Sequence, residues 1–307
     1  MTKRREFIKK SVLGSAGIAV GATGFSAKSY NSIAGSNEMI NLAVIGIRNQ
    51  GSVHIDSWCS LAKSHNVFLK TLCDTDEQLF GSRIKMVMDK AGHKPVTEWD
   101  LRKVLDDKEI HAVSLAVPNH WHALATIWAC QAGKHVYCEK PLSNTIAEGR
   151  ALVNAINKNG VVFQHGTPLR SLEKVRFACE LVRNGRLGTL KEIVIGSPPG
   201  LATGVHPEEP VPPGLDYDLW LGPAPHAPYT PWRVGRECGY PGWYFISDYS
   251  KSGWVAGFAV HDIDIAHWGM DTELTGPVEV EGQGVFPTEG LFNTVLTYRL
   301  DYKKANG

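Results

Sequence analysis

The chain lacks any CxxC pair, any real surplus of one charge and any apolar run long enough to cross a membrane. Its six cysteines, Cys59, Cys73, Cys130, Cys138, Cys179 and Cys238, are scattered along 307 residues. They are too sparse for a disulfide-stapled miniprotein and wrongly spaced for a zinc knuckle or a redox dithiol. Lysine plus arginine number 32 against 31 aspartate plus glutamate. With no basic surplus to hold phosphate backbones, nucleic acid is not an expected partner. The apolar fraction of 43 % is ordinary, which excludes a disordered or collagen-like chain. At roughly 150 residues per domain, the length makes about two domains with cores to bury.

The first residues stand apart. Arg4-Arg5 precede Phe7 and Ile8, and residues 11–27 then run without a charge, rich in Gly, Ala and Ser. The pattern resembles a twin-arginine export signal over residues 1–27, with Phe25-Ser26-Ala27 as a small-residue cleavage site. The uncharged stretch falls short of the roughly 18 apolar residues of a spanning helix. Cleavage would leave a mildly acidic mature chain with no stable membrane span, in the periplasm or otherwise exported. A disordered basic tail is the plainer reading of the same residues.

After a polar linker, residues 39–45 form a short apolar run ending at Gly46, which predicts a buried strand. Runs 67–73, 111–117, 134–138 and 161–164 repeat the pattern. Helices are predicted between them. In one, Trp121, Leu124, Ala125, Trp128 and Ala132 make an apolar stripe at three and four spacing, with Gly133 as its stop. In another, Thr145 and Glu148 form a capping-box pair and Gly160 ends the helix. Alternation of strand and helix predicts an α/β domain over residues 38–166, with a parallel sheet covered on both faces. Residues 198–242 are crowded with Pro, Gly and Trp and predict long ordered loops over a binding surface. Residues 278–286 and 291–302 alternate apolar and polar, as half-buried antiparallel strands do. They predict a second, α+β domain over 167–307 on an open, mostly antiparallel sheet. The chain stops at Asn306-Gly307, directly after a predicted strand, which leaves that domain either complete or truncated as given.

Gly46-Ile47-Arg48-Asn49-Gln50-Gly51 follows the first strand, and Asp74 closes the second. A pyrophosphate approaching a helix N-terminus needs small residues at that turn, and a carboxylate about 20 residues on can accept ribose hydroxyls. Gly46, Arg48, Asn49, Gln50, Gly51 and Asp74 are therefore candidate dinucleotide-binding residues. Arg48 replaces the middle glycine of the usual fingerprint, and its side chain either crowds the phosphates or folds away and pairs with them. A tight turn without ligand and a strand-end cap at Asp74 are the plain alternatives. Asp76 beside Asp74 argues for NAD over NADP, because a 2′-phosphate would meet two carboxylates and no cation before Arg83. Asn119, His120 and His122 open the striped helix at a strand's carboxyl end, where ligands of open parallel sheets gather. They are candidate nucleotide contacts or helix caps. As metal ligands His120 and His122 diverge, and no metal is expected.

Glu139-Lys140-Pro141, the glycine turn, Asn119-His120-Trp121-His122 and the run from Asp216 to Pro225 together resemble the glucose-fructose oxidoreductase, inositol dehydrogenase and rhizopine-catabolism family (Gfo/Idh/MocA). The likeness runs from about residue 40 to the end and is strongest in the exported branch. It implies an N-terminal NAD-binding Rossmann domain, a C-terminal α+β domain whose open sheet commonly pairs copies into a homo-oligomer, and a sugar or polyol substrate. It places Glu139 and Lys140 at the cofactor and Lys140 beside the substrate hydroxyl. A lowered pKa there would let the lysine polarise the hydroxyl or relay its proton. Pro141 fits a rigid, often cis, turn that aims the lysine. The segment beginning His261-Asp262-Ile263-Asp264 matches the family's second catalytic stretch, which implies His261 as base, with Asp264 one helical turn on to orient it. Many relatives carry an Asp four residues before that His, where this chain has Gly257. A metal held by His261, Asp264 and His267 would need diverging side chains. A solvated lysine and a buried structural histidine are the plain readings.

An exported NAD has no pool to exchange with. The expectation is a tightly held NAD, transient oxidation of a sugar hydroxyl, elimination or epimerisation at the keto-sugar, and return of the hydride, as in NAD-dependent glycosidases. A simple NAD-dependent sugar or inositol dehydrogenase and a non-catalytic sugar-binding relative are the alternatives. Trp220, Trp232, Trp243, Tyr244 and Trp254 suit either sugar faces or a domain core.

Overall fold

A computed structural model describes residues 39–304 of the chain; the expected export signal at residues 1–27 lies outside the described residues. The first half alternates strand and helix: β1 (Ile40–Ile45), α1 (Asn49–Leu61), β2 (Val67–Cys73), α2 (Phe80–Ala91), β3 (Val96–Glu98), α3 (Leu101–Asp106), β4 (Ala112–Leu115), α4 (Asn119–Gln131), β5 (His135–Glu139), α5 (Ile146–Asn159) and β6 (Phe163–Gly166). The six strands form one sheet in the order β3-β2-β1-β4-β5-β6, and every neighbouring pair is parallel. Successive side chains of β1 explain why it reads as a continuous apolar run. Leu42 and Val44 pack with Ile55, Leu69 and Leu72 on one face, while Ala43 and Ile45 pack with Leu115, Ala125 and Cys138 on the other. A strand covered on both faces has no polar side. Cys73 and Cys138 sit in these cores at 2 % and 0 % exposure, acting as small hydrophobes.

Local signals set the helix ends. α4 is followed by Gly133 at φ +74°, a left-handed turn that a glycine makes without steric cost. α5 starts on a complete capping box: the Glu148 backbone N–H donates to Thr145 Oγ1 at 3.1 Å and the Thr145 N–H donates to Glu148 Oε2 at 3.2 Å. Strand β3 and helix α3 have no counterpart in the sequence reading, since three edge residues carry too little periodicity to stand out.

Beyond β6 the chain makes α6 (Glu173–Arg183), short helices α7 (Tyr217–Leu221) and α8 (Pro231–Val234), a π-helical turn Val255–Ala259 that runs straight into α9 (Val260–Gly269), and the antiparallel pair β7 (Glu279–Val285) and β8 (Thr297–Lys303). The aromatic loops close around a third core of Tyr217, Trp220, Phe245, Tyr249, Trp254 and Phe292, and from Ile40 onward the chain packs as one compact unit. The C-terminal strands depart from the expectation of half-buried alternation. All seven residues of β7 are exposed, and β8 starts at Thr297 rather than 291. Phe292 and Val295, three apart, are both buried, and the Leu291 and Asn293 N–H groups donate to loop carbonyls of Gly204 and Phe245. Packing at that spacing holds the segment out of the ladder. Among the described residues no helix is long and apolar enough to cross a membrane.

Thr145→Ala removes one half of the capping box and is expected to cost about 1 kcal/mol, read as a lower urea midpoint at unchanged slope, with Thr145→Ser restoring most of it.

Candidate functional site

Strand order reverses between β1 and β4, and in open parallel sheets ligands bind in the crevice that such a reversal leaves at the strands' carboxyl ends. A cavity of about 420 Å³ lies there, its floor made by Gly46, Cys73, Asp74, Val117 and Glu139 and its far wall by Trp243, Tyr244, Trp254 and His261. Gly46 has φ +80°, and a Cβ on it would meet the Ala116 carbonyl oxygen at 2.6 Å; a Cβ on Gly51 would lie 1.8 Å from the Gly46 carbonyl oxygen. Both glycines are thus required by the approach of α1 to the sheet. Gly51 acts through this packing and does not line the cavity. No side chain caps α1 and no acidic residue stands in its first turn, so its free N–H groups and positive dipole end are left for an anionic ligand.

Asp74 ties the glycine turn to the end of β2. Its Oδ2 accepts from the Ile47 N–H at 2.8 Å and its Oδ1 from the Asp76 N–H at 3.0 Å. Burial pushes its pKa up, against the pull of those two donors and of Arg48. The Arg48 guanidinium does not cross the helix N-terminus; it pairs with Asp76. Asn49 Oδ1 accepts from Arg236 Nη1 at 3.3 Å, a contact from the second half of the chain.

At the end of β5, the Lys140 ammonium donates to the Gly257 carbonyl at 2.6 Å and stands 5.5 Å from the Tyr244 ring centroid. Burial lowers its pKa, and neighbouring Glu139 opposes the shift. The Lys140-Pro141 bond is cis. Glu139, 6 % exposed, shares Oε1 with His54 Nε2 at 3.0 Å and with the Gln50 amide at 3.3 Å. Burial pushes the Glu139 carboxyl up, but its His54 partner and the nearby Lys140 leave it below the ordinary value. Gln50 therefore serves Glu139 as well as the cavity wall.

His261 lines the cavity with a buried Nδ1 that has no partner. Burial, reinforced by the Lys140 charge, lowers its pKa. Asp264 does not orient it: both carboxylate oxygens are taken by Arg170, Nε at 2.7 Å and Nη2 at 2.8 Å. That pair fixes α9 to the turn after β6, so Asp264 holds the helix rather than His261. Asn119 lines the cavity, its Nδ2 donating to Ser250 Oγ at 3.0 Å while its buried Oδ1 has no partner. His122 is wedged between the carbonyls of Val117 and Pro141, and burial lowers its pKa. His120 is not a cavity residue. Its Nε2 meets the Trp220 carbonyl at 3.0 Å and its ring packs on Trp220 and Tyr249, because the second residue of α4 faces α7; burial there pushes it down to about 4. Trp232 stacks on His206 instead of lining the cavity.

Three participants have no counterpart in the sequence reading: His54, Arg170 and Arg236. Only His54 left a signal, lying with Gly51, Ile55 and Cys59 on the buried face of α1.

A parallel sheet in this order, with an uncapped helix end over its crevice, is a dinucleotide-binding Rossmann fold. Residues 40–167 match the oxidoreductase family with an NAD-binding Rossmann fold (Gfo/Idh/MocA), and residues 183–305 match that family's C-terminal alpha/beta domain. The chain belongs to this family, and NAD is the cofactor of its Rossmann domain. A levoglucosan dehydrogenase of Pseudarthrobacter phenanthrenivorans is 37 % identical over 91 residues, covering 30 % of this chain and 23 % of that protein. An uncharacterized oxidoreductase of Bacillus subtilis is 28 % identical over 78 % of this chain and 56 % of its own length. A glycosyl hydrolase family 109 protein of Shewanella is 28 % identical over 41 % of this chain and 28 % of its length. The chain thus spans 23 to 56 % of these curated relatives. A solved levoglucosan dehydrogenase in complex with NADH and levoglucosan superposes with a TM-score of 0.63 at 21 % identity, over 88 % of this chain and 64 % of that one; at that identity the likeness is one of fold.

Asp74→Ala removes the charged acceptor of the Ile47 N–H, and loss of a hydrogen bond to a charged group is worth about 1.5–3 kcal/mol. The loss is expected to appear as a lower urea midpoint together with a weaker NAD affinity by tryptophan fluorescence; an unchanged midpoint and affinity would show that Asp74 does not hold the turn.

Proposed function

We propose that the protein oxidises a hydroxyl of a sugar or polyol, and that it does so transiently, with the cofactor retained and restored within each cycle. The observation that carries the reading is the pairing in one cavity of a half-buried ammonium, Lys140, held on the Gly257 carbonyl, with a histidine, His261, whose buried Nδ1 has no partner. Gly46, Asn49, Asp74 and Asn119 would hold the dinucleotide. Bound there, NAD supplies the hydride acceptor.

The chain's own residues manage the proton and the developing charge. His261, kept neutral by burial and by Lys140, accepts the hydroxyl proton. Lys140 donates a hydrogen bond to the oxygen that becomes alkoxide-like, in a dry site where such stabilisation is strong. Gly257 offers a carbonyl, which can orient the ammonium but cannot take up its proton as a carboxylate would, so the proton's exit runs through His261. The half-buried rings of Trp243 and Tyr244 stack on each other at 3.9 Å along the same wall and suit the face of a sugar ring.

Two classes of relative support two versions of the chemistry. The levoglucosan dehydrogenase match fits net oxidation; the family 109 glycosyl hydrolase match fits glycosidic cleavage, which involves no net redox change and so would have to return any hydride taken. The export signal expected at residues 1–27 favours the second, since no NAD pool would be at hand. We also propose export by the twin-arginine route and self-association through the sheet of the second half, to be checked by cell fractionation and light scattering.

Protein purified without added NAD is expected to release NAD on denaturation and to turn over substrate unaided; strict dependence on added NAD would select the dehydrogenase version. Lys140→Met is expected to lower turnover about 10²–10⁴-fold while NAD binding persists. The pH profile tests the proton roles. A depressed histidine pKa keeps the base form at lower pH, so activity should persist below the ordinary histidine value of about 6.5 and be lost as pH falls through the His261 pKa. The alkaline limb should lie below the ordinary lysine value of about 10.4. An acid limb that stays in place in His261→Ala would overturn the assignment of the base.

A further inference from the structure

We infer that Asp76 sets the preference for NAD over NADP by keeping the Arg48 guanidinium occupied. The inference rests on the dinucleotide reading of the cavity and asks which nucleotide it accepts. Rossmann domains that take a 2′-phosphate do so with an arginine near the ribose carboxylate, and this chain has one in place. Arg48 stands at the fingerprint position usually given to glycine and lines the same end of the cavity as Asp74, Thr75 and Asp76. Its side chain is 39 % exposed. It is neutralised where it stands, by the ion pair with Asp76.

The other charges at that end are committed elsewhere. Asp74 spends one oxygen each on the N–H groups of Ile47 and Asp76, so it closes the turn whichever nucleotide binds. Arg83 donates to the carbonyls of Ile47, at 2.8 Å, and Arg48, at 3.3 Å, and serves as a brace. Arg83 does not line the cavity; besides Arg48, the described Lys and Arg residues that do are Lys140 and Arg236, which hold the Gly257 carbonyl and the Asn49 and Gly239 oxygens. A phosphate monoester carrying about −1.5 to −2 charge would thus find no uncommitted cation and would face two carboxylates. Asp76 is the member of this set whose loss frees a guanidinium. Its other oxygen only accepts the Gln78 N–H at 3.1 Å, capping the turn Glu77–Leu79, and serine can keep that cap. A released guanidinium offers the planar fork that phosphate prefers.

Equilibrium binding of NAD and NADP, followed by dialysis or tryptophan quenching, tests this without any turnover. Asp76→Ser is expected to tighten NADP at least tenfold relative to NAD, and Asp76→Asn, which keeps both cap and shape, should shift the ratio the same way by less. In Arg48→Ala/Asp76→Ser the gain should vanish. An NAD to NADP ratio that stays within twofold of the parent in both Asp76 variants, or a gain that survives loss of Arg48, would overturn the inference while leaving NAD as the cofactor. If the parent protein bound neither nucleotide, the cofactor reading and this inference would fall together.

Discussion

The bond from the Lys140 ammonium to the Gly257 carbonyl is the contact on which the site depends, because it joins the edge of the parallel sheet to the helix that carries His261. Even a partly buried cation is costly unless its charge is answered nearby. Here the answer is relayed inward. Glu139 lies next to Lys140 in sequence, with Oε2 accepting the Lys140 N–H at 3.3 Å. His54 holds Glu139, and Ser114 Oγ meets His54 Nδ1 at 2.9 Å. The chain from Ser114 on β4 through His54 on α1 to Lys140 draws on three elements of the Rossmann half, so the ammonium is fixed by the fold's core rather than by a loop.

On its other side the same ammonium depends on a widened turn. Gly257 lies in the π-helical turn Val255–Ala259, a rare geometry that is frequent at functional sites. A Cβ at Gly257 would press at 3.1 Å on the rings of Trp254 and Tyr244. At the position where the resemblance leads one to expect an Asp, the aromatic wall thus leaves a side chain little room. α9 is in turn held from behind by Arg170, which pairs with Asp264 and Glu273 and lies over the Trp268 ring. The helix that carries His261 is anchored at its outer face, leaving its inner face to the cavity.

What was legible in the sequence follows the range of the interactions. The strand runs, the end of α4 at Gly133 and the capping box at Thr145 and Glu148 are decided within a few residues, and each is where the pattern placed it. The glycine turn with Asp74 was legible because the Rossmann geometry imposes its spacing. Lys140 and His261 were not legible from patterning at all; they came from the resemblance to the family. The direction taken by Arg48, the pairing of Asp264 with Arg170 across 94 residues and the turning of His120 toward Trp220 depend on contacts that bring distant segments together. No local rule contains them. The antiparallel pairing of the C-terminal strands was legible, but their buried face was not, since alternation predicts one only where another layer exists to cover it, and β7 is exposed along its whole length.

The seam between the two halves is itself built from polar groups with fixed partners. Asn119 meets Ser250, Asn144 donates to the Tyr249 carbonyl at 2.9 Å, the Asp216 N–H donates to the Thr75 carbonyl at 2.9 Å, and the Trp121 indole N–H reaches the Trp220 carbonyl at 3.1 Å. Hydrogen bonds of this kind specify register more than they add stability, because each replaces a bond to water and nets only about 1 kcal/mol. Specification is what this architecture needs. In the proposed reaction the ammonium comes from one half and the base from the other, and the hydroxyl to be oxidised would have to lie within hydrogen-bond reach of both, about 3 Å. A seam of apolar contacts alone would tolerate sliding by a fraction of that distance, whereas paired donors and acceptors at both ends of the cavity do not. The aromatic core behind α7 supplies the cohesion, and the polar seam supplies the alignment.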